Sequence, residues 1–175
     1  DDASTDGTQD IIRNYEKKYP NIFKVIYQTE NQYQKGGGSW TRIMKNFQTP
    51  RYSGKYVAYC EGDDYWSDPN KLQFQVDYME KNPDCSATYH AAVVTHNDKV
   101  LYTTTLKNGV EYNGELDIPT QAAIGRELIL TTQSLMCRTD IAKEWPRYRK
   151  ISDLFDYPLR LLLATKGRIH WFPYP

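Results

Sequence analysis

Glu61-Gly62-Asp63-Asp64 puts three carboxylates into four positions, directly after the strand-like run Tyr56-Val57-Ala58-Tyr59-Cys60. Carboxylates this close repel one another, so the arrangement is costly unless a cation or several hydrogen-bond donors offset the charge. Hard oxygen ligands suit Mg²⁺ or Mn²⁺, and Mg²⁺ is commonly held by one or two carboxylates with substrate phosphates completing its shell. The run therefore points to a metal site for a phosphate-bearing ligand. A solvated acidic turn is the other reading of the same residues, because Asp68-Pro69 is a good helix start. A second acidic pair, Asp1-Asp2, also lies in a loop ahead of a helix start.

The elements that must position these loops follow from periodicity and caps. Asp6, with Gln9 three positions on, is expected to cap a helix whose apolar stripe is Ile11, Ile12, Tyr15 and Tyr19, ending at Pro20. Phe23 to Tyr27 has the composition of a short strand. A polar loop through Lys35-Gly36-Gly37-Gly38 leads to a helix from Ser39 to Phe47, and Tyr56 to Cys60 is the next strand. Pro69 then takes a first-turn position behind Asp68, with Leu72, Val76 and Met79 at helical spacing until Asn82-Pro83. Strands alternating with helices argue for an α/β layered sheet.

Later residues change character. Ser86 to Thr95 and Val100 to Thr105 are rich in Val, Thr and Tyr and flank His96-Asn97-Asp98-Lys99, the pattern of a hairpin or meander. Asn108 to Pro119 is expected to be a surface loop, Gln121 to Leu130 a helix and Ser134 to Cys137 a strand. Pro158 opens a last helix with Leu159, Leu162 and Leu163 on one side and Gly167 at its end, before a strand at Ile169 to Phe172. No repeat or linker divides the chain, so its 175 residues are expected to form one domain with a real core.

Composition removes several classes. The 22 basic and 22 acidic residues balance, with no basic stripe to follow a phosphate backbone, so a nucleic-acid partner is not expected. Cys60, Cys85 and Cys137 are odd in number and widely spaced, which argues for reduced thiols in a cytoplasmic setting rather than a disulfide or zinc framework. No run reaches the roughly 18 apolar residues of a membrane span, and no signal peptide opens the sequence. The fifteen tyrosines exceed what a core needs, so some are expected in a wet, polar cleft.

Other constellations carry less. Asp2-Ala3-Ser4-Thr5-Asp6-Gly7 imitates half of a calcium-binding EF-hand loop, but Arg13 stands where the bidentate Glu is required. Lys35 and Gly36 to Gly38 offer a cation and backbone N–H groups to a diphosphate, yet lack Walker spacing and equally suit a flexible loop. His90, His96 and His170 have no metal-ligand spacing and are expected to be packed or surface residues. Trp66 either packs under a ligand or anchors the core, and Gln133 and Ser134, before a short strand, are candidates to face a second substrate.

Taken in order, Asp1 to Thr8, Glu30-Asn31-Gln32, Gly54-Lys55-Tyr56-Val57-Ala58, Glu61-Gly62-Asp63-Asp64-Tyr65-Trp66-Ser67-Asp68-Pro69 and Lys71-Leu72-Gln73 resemble the family 2 glycosyltransferases. The likeness runs from the first residue to about position 85 and returns at Phe155 to Pro173. It implies a GT-A fold, an α/β Rossmann-like mixed sheet flanked by helices, incomplete at the amino terminus. Residues 1–85 would be the nucleotide-sugar and metal-binding half of a single partial domain, and 86–175 the acceptor-side half.

The resemblance also implies an inverting, metal-dependent transferase of bacterial cell-surface polysaccharide or glycan synthesis. Its donor would be a nucleotide-diphosphate sugar, a UDP-sugar first, and its acceptor a glycan or lipid-linked hydroxyl. Asp2 with Asp1 resembles the acidic group that bonds the nucleotide base. Glu61-x-Asp63 resembles the D-x-D signature, with Asp63 a direct ligand of Mn²⁺ or Mg²⁺ and Glu61 helping to hold the metal or contacting the ribose. Glu in the first position departs from the commoner Asp. Asp64 is a further contact or a helix cap. Asp156, in Phe155-Asp156-Tyr157-Pro158, resembles the catalytic base that takes the acceptor hydroxyl's proton, with Asp153 as the alternate; as an N-cap it would be worth about 1 kcal/mol without any catalysis. A cytoplasmic location is implied, with peripheral membrane association through segments outside this sequence. A sugar nucleotidyltransferase-like enzyme and an inactive glycan-binding or scaffold module are the competing classes.

Overall fold

Residues with a high β-propensity fall at 85–90 and 168–172, and these two segments make the centre of the fold. The computed structural model describes residues 1–36, 42–104, 114–116, 130–147 and 156–173, with the backbone alone at 114–116, 147, 156 and 157. The chain divides into two compact units, Asp1–Arg51 and Tyr52–Pro175.

In the first unit, helix α1 spans Thr8–Lys18. Its N-cap is Gly7 at φ 89°, not Asp6; the Asp6 carboxylate instead accepts from the backbone N–H and the hydroxyl of Thr8. The expected apolar stripe is no buried face, since Ile11 and Tyr15 are exposed. Tyr15, Tyr19 and Phe23 cluster instead with ring centroids about 6 Å apart. Phe23 to Tyr27 is extended but belongs to no ladder: Asp1 N–H donates to Ile26 O at 2.8 Å and Gln28 N–H to Asp1 O at 3.0 Å, the two bonds of a single parallel bridge. A short helix α2 covers Gln32–Lys35. The helix expected from Ser39 to Phe47 is described from residue 42 and runs on as a π-helix at Met44–Gln48 and a 3₁₀ turn at Thr49–Arg51.

The second unit holds a five-stranded mixed sheet in the order β1-β6-β2-β7-β5. Its strands are β1 Tyr56–Ala58, β2 Cys85–His90, β5 Gly114–Leu116, β6 Met136–Arg138 and β7 Arg168–Phe172. The central pair β2–β7 is parallel; β1–β6, β6–β2 and β7–β5 are antiparallel. Among the described residues three helices flank the sheet: α3 Lys71–Lys81, α4 Thr139–Glu144 and α5 Asp156–Lys166.

Side chains alternate across the strands as the pleat requires. Ala87, Tyr89, Cys137, Ile169 and Trp171 pack with Ile141 and Ala142 of α4 and Leu159, Leu162 and Leu163 of α5. On the opposite face, Met136 packs with Met79 and Val76 of α3, while His170 and Phe172 meet Tyr78 and Phe74 with ring centroids 4.2–5.1 Å apart. The sheet is thus covered on both faces. Arg138 fastens α3 by donating to the carbonyls of Met79, Asn82 and Cys85, an arginine placed at the negative end of a helix.

Several sequence expectations shift here. Strand β1 stops at Ala58 rather than Cys60, because only Tyr56 to Ala58 finds partners on β6. Helix α3 begins at Lys71, two residues beyond Pro69, since Asp68 folds a turn in which its carboxylate accepts from Asn70 N–H and its carbonyl from Lys71 N–H. The run from Ser86 to Thr95 splits, its first part entering the sheet as β2 and its last forming β3 Val93–His96 against β4 Lys99–Thr103. Asn97 and Asp98, at φ 47° and 60°, make the two-residue turn of that hairpin, where both central residues need positive φ. Part of the expected loop at 108–119 is strand β5. Ser134 lies in a 3₁₀ turn before β6, not in the strand. The helix expected at 121–130 falls outside the described residues except for Leu130, and α4 was not anticipated. The last helix begins at Asp156, which places Pro158 in its first turn, where a missing N–H is harmless.

Candidate functional site

The strand β1 ends where its ladder to β6 ends, and the chain leaves the sheet as the loop 59–70. Within it Asp64 N–H donates to Glu61 O at 3.2 Å, closing a tight turn around Gly62-Asp63. Trp66 anchors the loop: its indole N–H donates to Gln133 O at 2.9 Å. Glu61 and Asp63 are exposed and Asp64 is half-buried. Burial, and then the charge of Asp63, holds the Asp64 carboxyl above the usual carboxylate range. Burial and the Asp64, Glu61 and Asp63 charges likewise raise the thiol of the exposed Cys60, against the opposing pull of Lys71.

A cavity of about 920 Å³ opens beside this loop. Asp63, Asp64, Trp66 and Asp68 line it from the loop, Lys71 and Phe74 from α3, His90 from the end of β2, Val93 and Val100 from the hairpin, and Gln133 from the segment before β6. Carboxylates, an indole and an amide carbonyl on one concave surface are the groups that bind polar rings. Of the two residues proposed to face an acceptor, Gln133 lines the cavity, whereas Ser134 is wholly buried and donates to Thr131 O.

Two cavity residues were not foreseen. Lys71 was read only as part of the Lys-Leu-Gln run, yet it is 6 % exposed, with Nζ 4.2 Å from the Trp66 ring centre. Burial pulls its ammonium down to about 8 from the ordinary 10.5. His90, expected to be a packed or surface residue, bonds Ala91 O through Nδ1 at 2.6 Å and turns Nε2 to no partner among the described residues. The signal available in the sequence was the spacing Lys71, Gln75, Met79, which is the buried line of α3. The expected line Leu72, Val76, Met79 is rotated from it by one residue, leaving Leu72 39 % exposed.

The remaining predicted residues lie elsewhere. In the first unit, the two oxygens of Asp2 accept from Gln32 N–H and Tyr33 N–H at 2.8 and 2.9 Å, and Asp1 accepts from Ser4 N–H and the Gln9 amide. Ala3, directly after this pair, adopts φ 62°, a left-handed conformation that costs a residue with Cβ about 1 kcal/mol. The Lys35 ammonium pairs with Glu30, and Gly37 and Gly38 lie outside the described residues. Asp156 is the first residue of α5; its side chain, and all of Asp153, lie outside the described residues. His170 stacks on Tyr78 at 4.2 Å as a packed histidine, and His96 is exposed at the hairpin.

Among the described residues no three His, Cys, Asp or Glu side chains converge as a metal cage. The loop offers carboxylates from one short segment, which suits a cation whose shell is completed by substrate phosphates. No helix among the described residues is long and apolar enough to cross a membrane.

The sequence pattern of the Glycosyl transferase family 2 matches residues 1–136. An uncharacterized protein of Mycobacterium tuberculosis is 38 % identical over 100 residues, 56 % of this chain and 26 % of that protein. A Bacillus subtilis protein provisionally named as the teichuronic acid biosynthesis glycosyltransferase TuaG is 39 % identical over 79 residues, 45 % of this chain and 28 % of its own length. The Shigella flexneri dTDP-rhamnosyl transferase RfbG is 25 % identical over 111 residues, 63 % of this chain and 35 % of its own. The chain thus spans about a quarter to a third of the length of the curated relatives it matches.

Proposed function

Because the chain belongs to glycosyl transferase family 2, a family of GT-A fold, we propose that it forms the donor-binding part of an inverting transferase acting on a nucleotide-diphosphate sugar. The observation that carries this reading is the Glu61-x-Asp63 element, set on the loop after β1 with Asp63 lining a cavity of substrate size. The acceptor is a hydroxyl of a growing glycan or lipid-linked sugar of the bacterial cell surface; glycan synthesis is supported by the name of the TuaG relative, a glycosyltransferase of teichuronic acid biosynthesis.

In this reading Asp63 and Glu61 hold Mn²⁺ or Mg²⁺. The fit rests on the charge crowding already described: the carboxyl of Asp64 is raised in part by Asp63, the electrostatic cost that a cation relieves. The ion, when bound, supplies stabilisation of the negative charge on the leaving nucleoside diphosphate. Asp2, with Asp1 beside it, bonds the nucleotide base; each Asp2 oxygen keeps a further lone pair beyond its bond to α2. Lys35 offers a cation to the donor phosphates.

Asp156 takes the proton of the acceptor hydroxyl as that oxygen attacks the anomeric carbon from the face opposite the diphosphate, which inverts the configuration. Its support is the family resemblance together with its backbone position as the first residue of α5.

Isothermal titration of the full-length protein with UDP, GDP and dTDP, each with and without Mn²⁺, tests the proposal. Binding that depends on the metal is the expected result. If none of the three nucleotides binds in a metal-dependent way, the transferase reading is wrong.

A further inference from the structure

Two polar atoms on the wall of the cavity have no hydrogen-bond partner among the described residues: Lys71 Nζ and His90 Nε2. Both are shut away from bulk water, so neither recovers in the protein what it loses in hydration. Lys71 is 6 % exposed, and its Nζ lies 4.2 Å from the Trp66 ring centre. Cation–π contact leaves the ammonium's N–H groups free for an oxygen acceptor.

The state of His90 follows from its other nitrogen. A carbonyl oxygen can only accept, so the 2.6 Å contact to Ala91 O places a proton on Nδ1. Burial, and to a lesser degree the Lys71 charge, lowers the ring's pKa below 6.5, against the opposing effect of that hydrogen bond. In the neutral ring, the form that this shift favours, Nε2 carries the lone pair. Two residues that line the cavity therefore carry one unsatisfied donor and one unsatisfied acceptor, and Lys71's charge is felt at His90.

Among the groups a glycosyltransferase meets, a hydroxyl matches both. Its oxygen accepts from an ammonium while its proton is donated to an imidazole nitrogen; a phosphate could satisfy Lys71 but would leave Nε2 facing another lone pair. We propose that Lys71 and His90 are a recognition pair for a single hydroxyl of a sugar ring held in the cavity. The four-carbon stem of Lys71 lets Nζ move from the Trp66 face to the ligand. Trp66 and Phe74 supply apolar surface for the ring's C–H face, and Gln133 lines the same cavity. The inference rests on the transferase reading, in which both substrates, donor and acceptor, carry such a sugar.

The test uses the full-length protein and two kinds of probe. UDP-glucose, UDP-N-acetylglucosamine and GDP-mannose are titrated against UDP and GDP, and the methyl glycosides of glucose, N-acetylglucosamine and mannose are followed by saturation-transfer NMR. Lys71→Met and His90→Phe are expected to weaken the preferred sugar-bearing probe about tenfold while leaving the free nucleotide unchanged, and His90→Gln, which keeps an acceptor, retains most of the affinity. Loss confined to the nucleotide sugars assigns the hydroxyl to the donor; loss confined to the methyl glycosides assigns it to the acceptor. In the unmutated protein the His90 Nε2 ¹⁵N resonance should shift on addition of the same probe, a readout that needs no variant to fold. Equal sugar affinity in all four proteins with an unmoved His90 resonance overturns the pair while metal-dependent nucleotide binding leaves the transferase reading intact. Absence of nucleotide binding and of glycoside binding alike removes both.

Discussion

The Trp66 indole N–H and the Gln133 carbonyl oxygen, 67 positions apart in the chain, meet at 2.9 Å. This bond pins the end of the acidic loop to the segment that leads into β6, and β6 is the strand beside β1 from which the loop departs. The acidic stretch is thus tied on one side to β1 and on the other to the turn that precedes β6.

Trp66→Phe keeps an aromatic ring and removes that donor. The variant is expected to lose about 1 kcal/mol of stability, the usual net worth of one such bond, in urea unfolding. Metal-dependent nucleotide binding should weaken with it; unchanged binding would show that the loop's position does not depend on the tie.

Asp63 is exposed and carries no structural bond described above, so Asp63→Asn should leave stability within about 0.5 kcal/mol of the parent. Binding of a nucleoside diphosphate in Mn²⁺ should fall by at least about 100-fold, the upper end of what an outer-shell partner alone is worth. A well-folded Asp63→Asn protein with parental metal-dependent affinity would rule out Asp63 as a ligand.

Gln75 is wholly buried, and its amide donates to Ser134 O at 2.9 Å and Thr88 Oγ1 at 3.1 Å. Gln75→Leu fills the same space but strands two buried acceptors, at an expected cost of about 1–3 kcal/mol. Chemical denaturation of both proteins gives the number directly.

Gly167 separates α5 from β7, and a Cβ there would lie 2.5 Å from Asp84 O and 3.1 Å from the Ser86 Cβ. The first neighbour is backbone held by Arg168 N–H, so it cannot step aside cheaply. Gly167→Ala is expected to destabilise by about 1–3 kcal/mol, read as a lower urea midpoint.

The lowered pKa of Lys71, about 8 against 10.5, fixes a pH dependence. Between those values the unfolded chain holds a proton at this site that the folded chain has lost, so stability from this residue rises with pH across that window. The unfolding free energy of the parent minus that of Lys71→Met should grow as pH is raised from about 8 towards 10.5. A flat difference would mean that the amine is solvated in the native state.

The helices and strands of the second unit were legible wherever pattern and punctuation agreed. Asn82-Pro83 ends α3, Gly167 ends α5, and Val, Thr and Tyr mark β2 to β4. Signals failed where a partner distant in sequence decided the outcome. Cys60 looks like strand but has no β6 residue opposite it. Gly114–Leu116 looks like loop, yet pairs with Trp171, His170 and Ile169 of β7. Phe23 to Tyr27 has strand composition, yet its backbone pairs with the single residue Asp1 rather than with a strand among the described residues.

The sequence by itself determined the acidic element and its order after a strand, because carboxylate spacing and β-propensity are local properties. It also carried the family likeness, which is a matter of order and spacing. Only the tertiary structure decided which face of α3 is inward. Hydrophobicity favoured Leu72 and Val76, but buried hydrogen bonds from Gln75 and the indole against Lys71 turned the helix by one residue. That rotation brings a lysine and a histidine 19 positions apart to one cavity wall. No periodicity encodes it, since the partners that satisfy or leave unsatisfied a buried polar atom come from strands that meet only after the chain has folded.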